Sequence, residues 1–246
     1  MIGKIMDRIN NIKIISVDLF RTLVDVDQSQ ESVWRSILRD NYSDTLASMN
    51  WEKTTEILLN KYYTAALDYQ HFKNIKTIFE ETYRDFFSEA DLDYDPKAAA
   101  EILIEKYKAY FIYDDTERFL EVVGRKYPIC LSTDCDLEMI TNINELYMFD
   151  KIFVSEQLQA YKLNPEFFRH VINHYNMSPE NILHIGDSKS DIVGAKHLGM
   201  MACWLNRNNK MWNHDINPDF EVKSLVDIID ILGLSGKQRE TKRAVD

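Results

Sequence analysis

Apolar residues along the chain gather into short continuous runs at 12–20 (IKIISVDLF), 127–132 (YPICLS), 181–187 (NILHIGD) and 200–206 (MMACWLN). Continuous rather than alternating apolarity marks strands buried on both faces, as in a parallel sheet covered by helices. Two weaker runs, 150–155 (DKIFVS) and 219–222 (DFEV), read as further strands. Between the later runs the apolar period lengthens to three and four residues, which predicts helices over 136–146, 165–175 and 190–199, the last stopping at Gly199. Strand and helix alternate from residue 118 onward. The fold class this predicts is α/β, a doubly wound parallel sheet, in which ligands bind beyond the carboxyl ends of the strands.

Residues 26–113 interrupt that alternation. Trp, Tyr, Phe and Leu recur there at helical spacing within polar surroundings, as in 33–38 (VWRSIL) and 78–87 (IFEETYRDFF), so an all-helical insertion is expected between the first and second strands. Its aromatic residues are read as packing rather than as pocket lining. The expected organisation is a core domain from 1–25 and 114–235, a helical domain from 26–113, and a tail at 236–246 with too little to bury to stay ordered.

The formal charge of −11 over 246 residues disfavours nucleic acid as a partner, because binding phosphates draws on clusters of Lys and Arg. Lys4, Asp7, Arg8 and Lys13 punctuate the start of the chain, and the apolar run that follows contains Asp18. Neither a secretion signal nor a membrane span fits that pattern, and a cytoplasmic protein is expected. Cys130, Cys135 and Cys203 have no metal-ligand spacing. Cys130 and Cys203 are expected in the core, and Cys135 as a bystander thiol. Nothing in the sequence sets an oligomeric state.

The chemistry gathers at strand ends. Asp18 closes the first run, Ser132 the second, Lys162 follows the third in YKLNPEFF, and GDSKSD carries Asp187 and Asp191 beyond the fourth. A doubly wound sheet brings these ends to one edge. Three carboxylates there would repel one another beyond what one lysine offsets. A hard divalent cation with oxygen ligands resolves the imbalance, and magnesium is the expected cofactor.

These motifs resemble the haloacid dehalogenase superfamily, and in particular the branch whose helical cap follows the first strand. The resemblance runs from about residue 12 to 233: DLFRT as the nucleophile loop, Ser132 in CLSTD, Lys162 before NPEFF, and HIGDSKSD as the acidic loop. It implies a Rossmann-like core and a hydrolase acting on a small phosphorylated molecule. Asp18 would be the nucleophile. Asp18, the carbonyl of Phe20 and Asp187 would hold magnesium, with Asp191 supporting them or capping its helix. Ser132, Thr133 and Lys162 would bind the phosphoryl group, and Thr22 would orient the nucleophile loop. Taken singly, Ser132 and Thr22 also suit turns, and His184 suits a core position.

One departure matters. Phosphatases of this family usually carry a second Asp two residues after the nucleophile, as general acid and base; here that residue is Phe20. An aromatic residue at this place is usual in the 2-haloacid dehalogenases, whereas Asp187 is a metal ligand of the phosphatase branch. Phosphatase is therefore the leading expectation, with a 2-haloacid dehalogenase or a degenerate, non-catalytic binding protein as alternatives. Arg21 departs from a common glycine; the loop is expected not to be especially tight there, with the side chain facing solvent.

Overall fold

The computed structural model describes residues 8–27, 30–140, 143 and 149–235. The expected tail at 236–246 lies outside them. At the centre is a six-stranded parallel sheet in the order β5-β4-β1-β6-β7-β8. Its strands are β1 (Ile14–Val17), β4 (Ile129–Thr133), β5 (Lys151–Val154), β6 (Ile182–Gly186), β7 (Met201–Leu205) and β8 (Phe220–Val222). Every run expected to be a strand is one. Each residue of β1, β4, β6 and β7 is buried, which is why their apolarity is continuous. Alternate residues serve opposite faces: Ile14 packs with Phe167 and Phe168 on one side, Ile15 with the larger core on the other.

From β1 the chain first builds outward through β4 to β5, then returns to lay β6, β7 and β8 on the opposite side. The reversal falls at β1. Its Val17 is in register with Leu131 of β4 and Ile185 of β6, so the residues just beyond these three strands emerge side by side at a topological switch point.

Among the described residues, four α-helices fill the interruption: α1 (Gln30–Leu38), α2 (Asp44–Leu67), α3 (Ile75–Glu89) and α4 (Pro96–Lys108). Their starts follow local chemistry, with Ser43, Asn74 and Asp95 side chains accepting from Leu46, Thr77 and Lys97 amides. Buried Trp34 meets Tyr83 and Phe86 edge-on at 6.1 and 5.6 Å, so these aromatics pack, as expected. At the base of the insertion, β2 (Val24–Asp25) and β3 (Phe111–Ile112) pair antiparallel. Two-residue strands are too short to leave a periodic trace in a sequence.

The helices beyond the insertion include α5 (Thr116–Gly124), α6 (Ser155–Leu158), α7 (Pro165–Tyr175), α8 (Lys189–His197) and α9 (Leu225–Ile231). Of the helix expected over 136–146, the described part is a 3-10 turn at Leu137–Ile140 with Ile143 helical beyond it; residues 141, 142 and 144–146 lie outside the described set. All three cysteines are buried and free, and burial pushes each thiol upward. Among the described residues no helix is long and apolar enough to cross a membrane.

Candidate active site

The loop that carries Asp18 is tight. The Asp18 amide donates to Ile185 O on β6 at 2.9 Å, and Leu19 O accepts from the Leu23 and Val24 amides at 2.8 and 3.1 Å. To close this turn Arg21 takes a φ of +62°, the left-handed region that favours glycine. The expected slack loop is thereby corrected, whereas the Arg21 side chain does keep 36% of its surface exposed, with Nε donating to both oxygens of Asp27 at 2.9 and 3.1 Å. Phe20 is buried and meets Tyr107 edge-on at 5.0 Å. Arg207 clamps the far side, donating to both oxygens of Asp115 and to Thr22 O, each at 2.9 Å.

Asp18, Asp187 and Asp191 converge at the switch point, each offering a carboxylate oxygen within 4.8 Å of the others. Lys162 Nζ lies between two of them, 2.7 Å from Asp18 Oδ1 and 2.5 Å from Asp191 Oδ1, with all three side chains almost wholly buried. The Lys162 amide donates to Asp134 Oδ1 at 3.0 Å, which fixes the loop before α7. Asp191 also belongs to α8: its Oδ2 accepts from the Ser188 amide at 3.0 Å in a capping box.

The charges do not balance. Burial raises the Asp18 carboxyl, and Asp191 and Asp187 raise it further, although Lys162 works the other way. Burial and Asp191 likewise raise Asp187. Asp191 goes down despite its burial, because Lys162 and His184 hold its charge. Burial opposes the Lys162 charge too, yet Asp18 and Asp191 outweigh it and keep the ammonium protonated. Three hard oxygen donors short of positive charge suit a divalent cation of the magnesium type.

Ser132 and Thr133 end β4 beside this cluster and are fully buried. Thr22 Oγ1 is buried without a hydrogen-bond partner, and the Thr133 hydroxyl is buried with the Cys135 thiol beside it as a weak partner. The Ser132 hydroxyl instead lies 2.8 Å from Ser16 Oγ. Of the eight residues singled out in the sequence, Asp18, Asp187, Asp191 and Lys162 meet directly, Ser132 and Thr133 end β4 next to β1, and Phe20 and Thr22 lie in the turn that follows Asp18.

The sequence missed others. Asp134 follows Thr133 directly and accepts from Tyr62 Oη at 2.5 Å. Tyr62 comes from α2, as does Tyr63, whose ring lies 5.3 Å from Lys189 Nζ and whose hydroxyl is pushed up by burial and by Asp191, Asp187 and Asp134. Tyr62 also packs edge-on against Tyr63 and Tyr161, each at 5.2 Å, so these aromatics pack as expected and in addition meet residues around the site. Asp134 had a signal in its position beside the motif; the tyrosines had none, because helical periodicity does not say which residues a distant strand end will meet.

A parallel sheet with three carboxylates and a buried lysine gathered at its switch point defines an α/β protein of the doubly wound class with a candidate site at its strand ends. A profile of the haloacid dehalogenase-like hydrolases matches residues 12–199, and the chain belongs to that family. Curated relatives include the pyrimidine 5'-nucleotidase PynA of Streptococcus pneumoniae, 23% identical over 239 residues that cover 89% of this chain and 94% of the relative. A phosphoserine phosphatase of Thermus thermophilus is 25% identical over 135 residues, 52% of this chain; the match spans about half of that relative's length, 54%. Among solved structures, the putative HAD-hydrolase YfnB of Bacillus subtilis bound to magnesium superposes with a TM-score of 0.75 at 18% identity, over 90% of this chain and 98% of that one. The L-2-haloacid dehalogenase of Xanthobacter autotrophicus superposes with a TM-score of 0.76 at 16% identity, over 92% and 100%.

Proposed function

We propose that this hydrolase is a magnesium-dependent phosphatase of small phosphorylated molecules. The observation that carries the reading is the Asp18–Asp187–Asp191 cluster around Lys162, whose excess negative charge a dehalogenation site would not need. In this reading Asp18 attacks phosphorus, the ester oxygen leaves, and an aspartyl phosphate forms that water then opens. Asp18, the Phe20 carbonyl and Asp187 hold the cation, with Asp191 in support. Magnesium when bound neutralises charge on the transferring phosphoryl group and screens its oxygens from the nucleophile. Lys162 and Thr133 bind phosphoryl oxygens, Ser132 joins them only when its hydroxyl is released from Ser16, and Thr22 orients the Asp18 loop. Helices 30–108 act as a cap above a core built from the rest of the chain, and Tyr62 and Tyr63 form the part of the cap facing the reaction.

Phe20 leaves no carboxylate to protonate the leaving oxygen or to activate water, help worth roughly two to four powers of ten in rate. The enzyme therefore works best on leaving groups that need no proton, such as acyl and aryl phosphates. The test is phosphate release from p-nitrophenyl phosphate and acetyl phosphate, with magnesium or with chelator, against Asp18→Asn. Release that needs magnesium and disappears in the variant supports the reading; silence on both substrates with folded, magnesium-loaded protein removes it.

Phe20 also favours a second reading, a 2-haloacid dehalogenase, in which Asp18 displaces halide at carbon and no leaving-group proton is required. Halide release that persists in chelator identifies it. The absence of halide from several 2-haloacids excludes it.

A further inference from the structure

Beneath the acidic cluster, three neighbouring strands each contribute one polar side chain to a buried chain of hydrogen bonds. Ser132 Oγ of β4 lies 2.8 Å from Ser16 Oγ of β1, Ser16 Oγ lies 2.8 Å from His184 Nδ1 of β6, and His184 Nε2 lies 3.0 Å from Asp191 Oδ1. All four side chains are at 0% exposure. Asp191 Oδ1 then meets Lys162 Nζ, which meets Asp18. The sequence placed His184 among core residues; it is a core residue with both nitrogens engaged, and its ring stacks edge-on against Phe168 at 4.8 Å.

Chemistry gives the chain a direction. An ionised carboxylate only accepts, so His184 Nε2 carries a proton. A second proton on the ring would place a cation where the one adjacent carboxylate already shares its charge with Lys162, so Nδ1 is left as an acceptor. Ser16 must then donate to Nδ1 and accept from Ser132. The Ser132 proton points into the sheet, away from the reacting groups.

We propose that Ser16 and His184 are positioning residues: His184 holds Asp191, and through Ser16 it ties Ser132 to the same cluster and holds the Ser132 proton in competition with any phosphoryl oxygen. Groups that hydrogen-bond to the carboxylates of a metal site, without touching the metal, commonly carry 10- to 100-fold of affinity or activity. Two consequences follow. Loss of the His184–Asp191 bond weakens magnesium binding. Loss of Ser16 frees the Ser132 hydroxyl, so substrate binds as well as before or better while turnover falls by about tenfold. The kinetic consequence rests on the phosphatase reading; the tautomer and the metal affinity do not.

The experiment has three arms on the full chain. Nitrogen-15 NMR of the histidine rings, with His184 assigned by substitution, should give a neutral ring protonated at Nε2 whose Nδ1 signal alone moves in Ser16→Ala; an Nδ1–H ring or an imidazolium overturns the direction. Magnesium titration by calorimetry should show His184→Phe, which fills the space without a donor, weakened by tenfold or more, and His184→Gln, which keeps an N–H towards Asp191, close to wild type. Equal affinity in all three proteins overturns the positioning role. In kinetics with p-nitrophenyl phosphate, Ser16→Ala and His184→Gln break the same chain, so the double variant should lose no more turnover than the worse single, with KM not raised. Losses that multiply overturn it. Should His184→Phe fail to fold, Ser16→Ala and His184→Gln carry the NMR and kinetic arms alone. A wild type that releases no phosphate removes the phosphatase reading and leaves the NMR result to decide the chain.

Discussion

Gly194 offers a sharp test of how the acidic loop and the lysine loop are held together. It lies in α8, three residues after Asp191, with its backbone against the Lys162 carbonyl. A Cβ placed there would stand 2.0 Å from Lys162 O and 2.9 Å from its carbonyl carbon. Ordinary contact begins near 3.4 Å, so Gly194→Ala must drive the two backbones apart by about 1.4 Å. Overpacking of this kind costs roughly 1–3 kcal/mol, and the better helix propensity of Ala returns about 1. At the upper part of that range the net loss is about 1–2 kcal/mol, or a fall in Tm of roughly 2–8 °C for a chain of this size. Activity suffers more. Lys162 Nζ has two carboxylates to meet at 2.7 and 2.5 Å, and a displacement near 1 Å costs on the order of a hundredfold in rate. The assay pairs thermal melting with phosphate release from p-nitrophenyl phosphate. Gly124→Ala is the control, because its Cβ would meet nothing nearer than Ile129 Cδ1 at 3.7 Å. A Gly194→Ala protein with the melting point and turnover of wild type would refute the close packing of α8 on the Lys162 loop.

Phe20→Asp should restore the absent acid and base and raise turnover on alkyl phosphates by about two powers of ten or more, while aryl phosphates, with little need of a proton, gain far less; equal gains on both would show that Phe20 is not what limits the reaction. Burial raises the Asp134 carboxyl to about 6. The folded state therefore holds that proton more tightly than the unfolded chain, so the stability it contributes is full below pH 4 and lost as pH rises through about 6. Partial exposure limits the effect to about 1–2 kcal/mol. Urea unfolding of Asp134→Asn against wild type should show the variant gaining at pH 7 and matching at pH 4; a constant difference would refute the assignment. Arg207→Lys cannot reproduce the paired bonds to Asp115 and the bond to Thr22 O, and should lose about 1–2 kcal/mol in the same assay, since it leaves a poorly accessible carboxylate and carbonyl under-satisfied.

The sequence by itself determined the sheet, its strand ends and the chemistry gathered there. Strands buried on both faces must be apolar throughout, so β1, β4, β6 and β7 announced themselves, and the few polar residues that ended them, Asp18, Ser132 and Asp187, stood out for that reason. The interruption by amphipathic helices was equally plain, because a helix that buries one face repeats every three or four residues. What only the tertiary structure decided depends on contacts between residues far apart in the chain. The left-handed turn at Arg21 is set by Leu19 O and Val24, not by any preference of arginine. Tyr62 and Tyr63 share the helical spacing of their packed neighbours and differ only in what lies opposite them. His184 reads as one more residue of an apolar strand; it becomes a link between Ser132 and Asp191 because β4, β1 and β6 lie side by side, and strand order is written in the packing of the whole sheet rather than in any one segment.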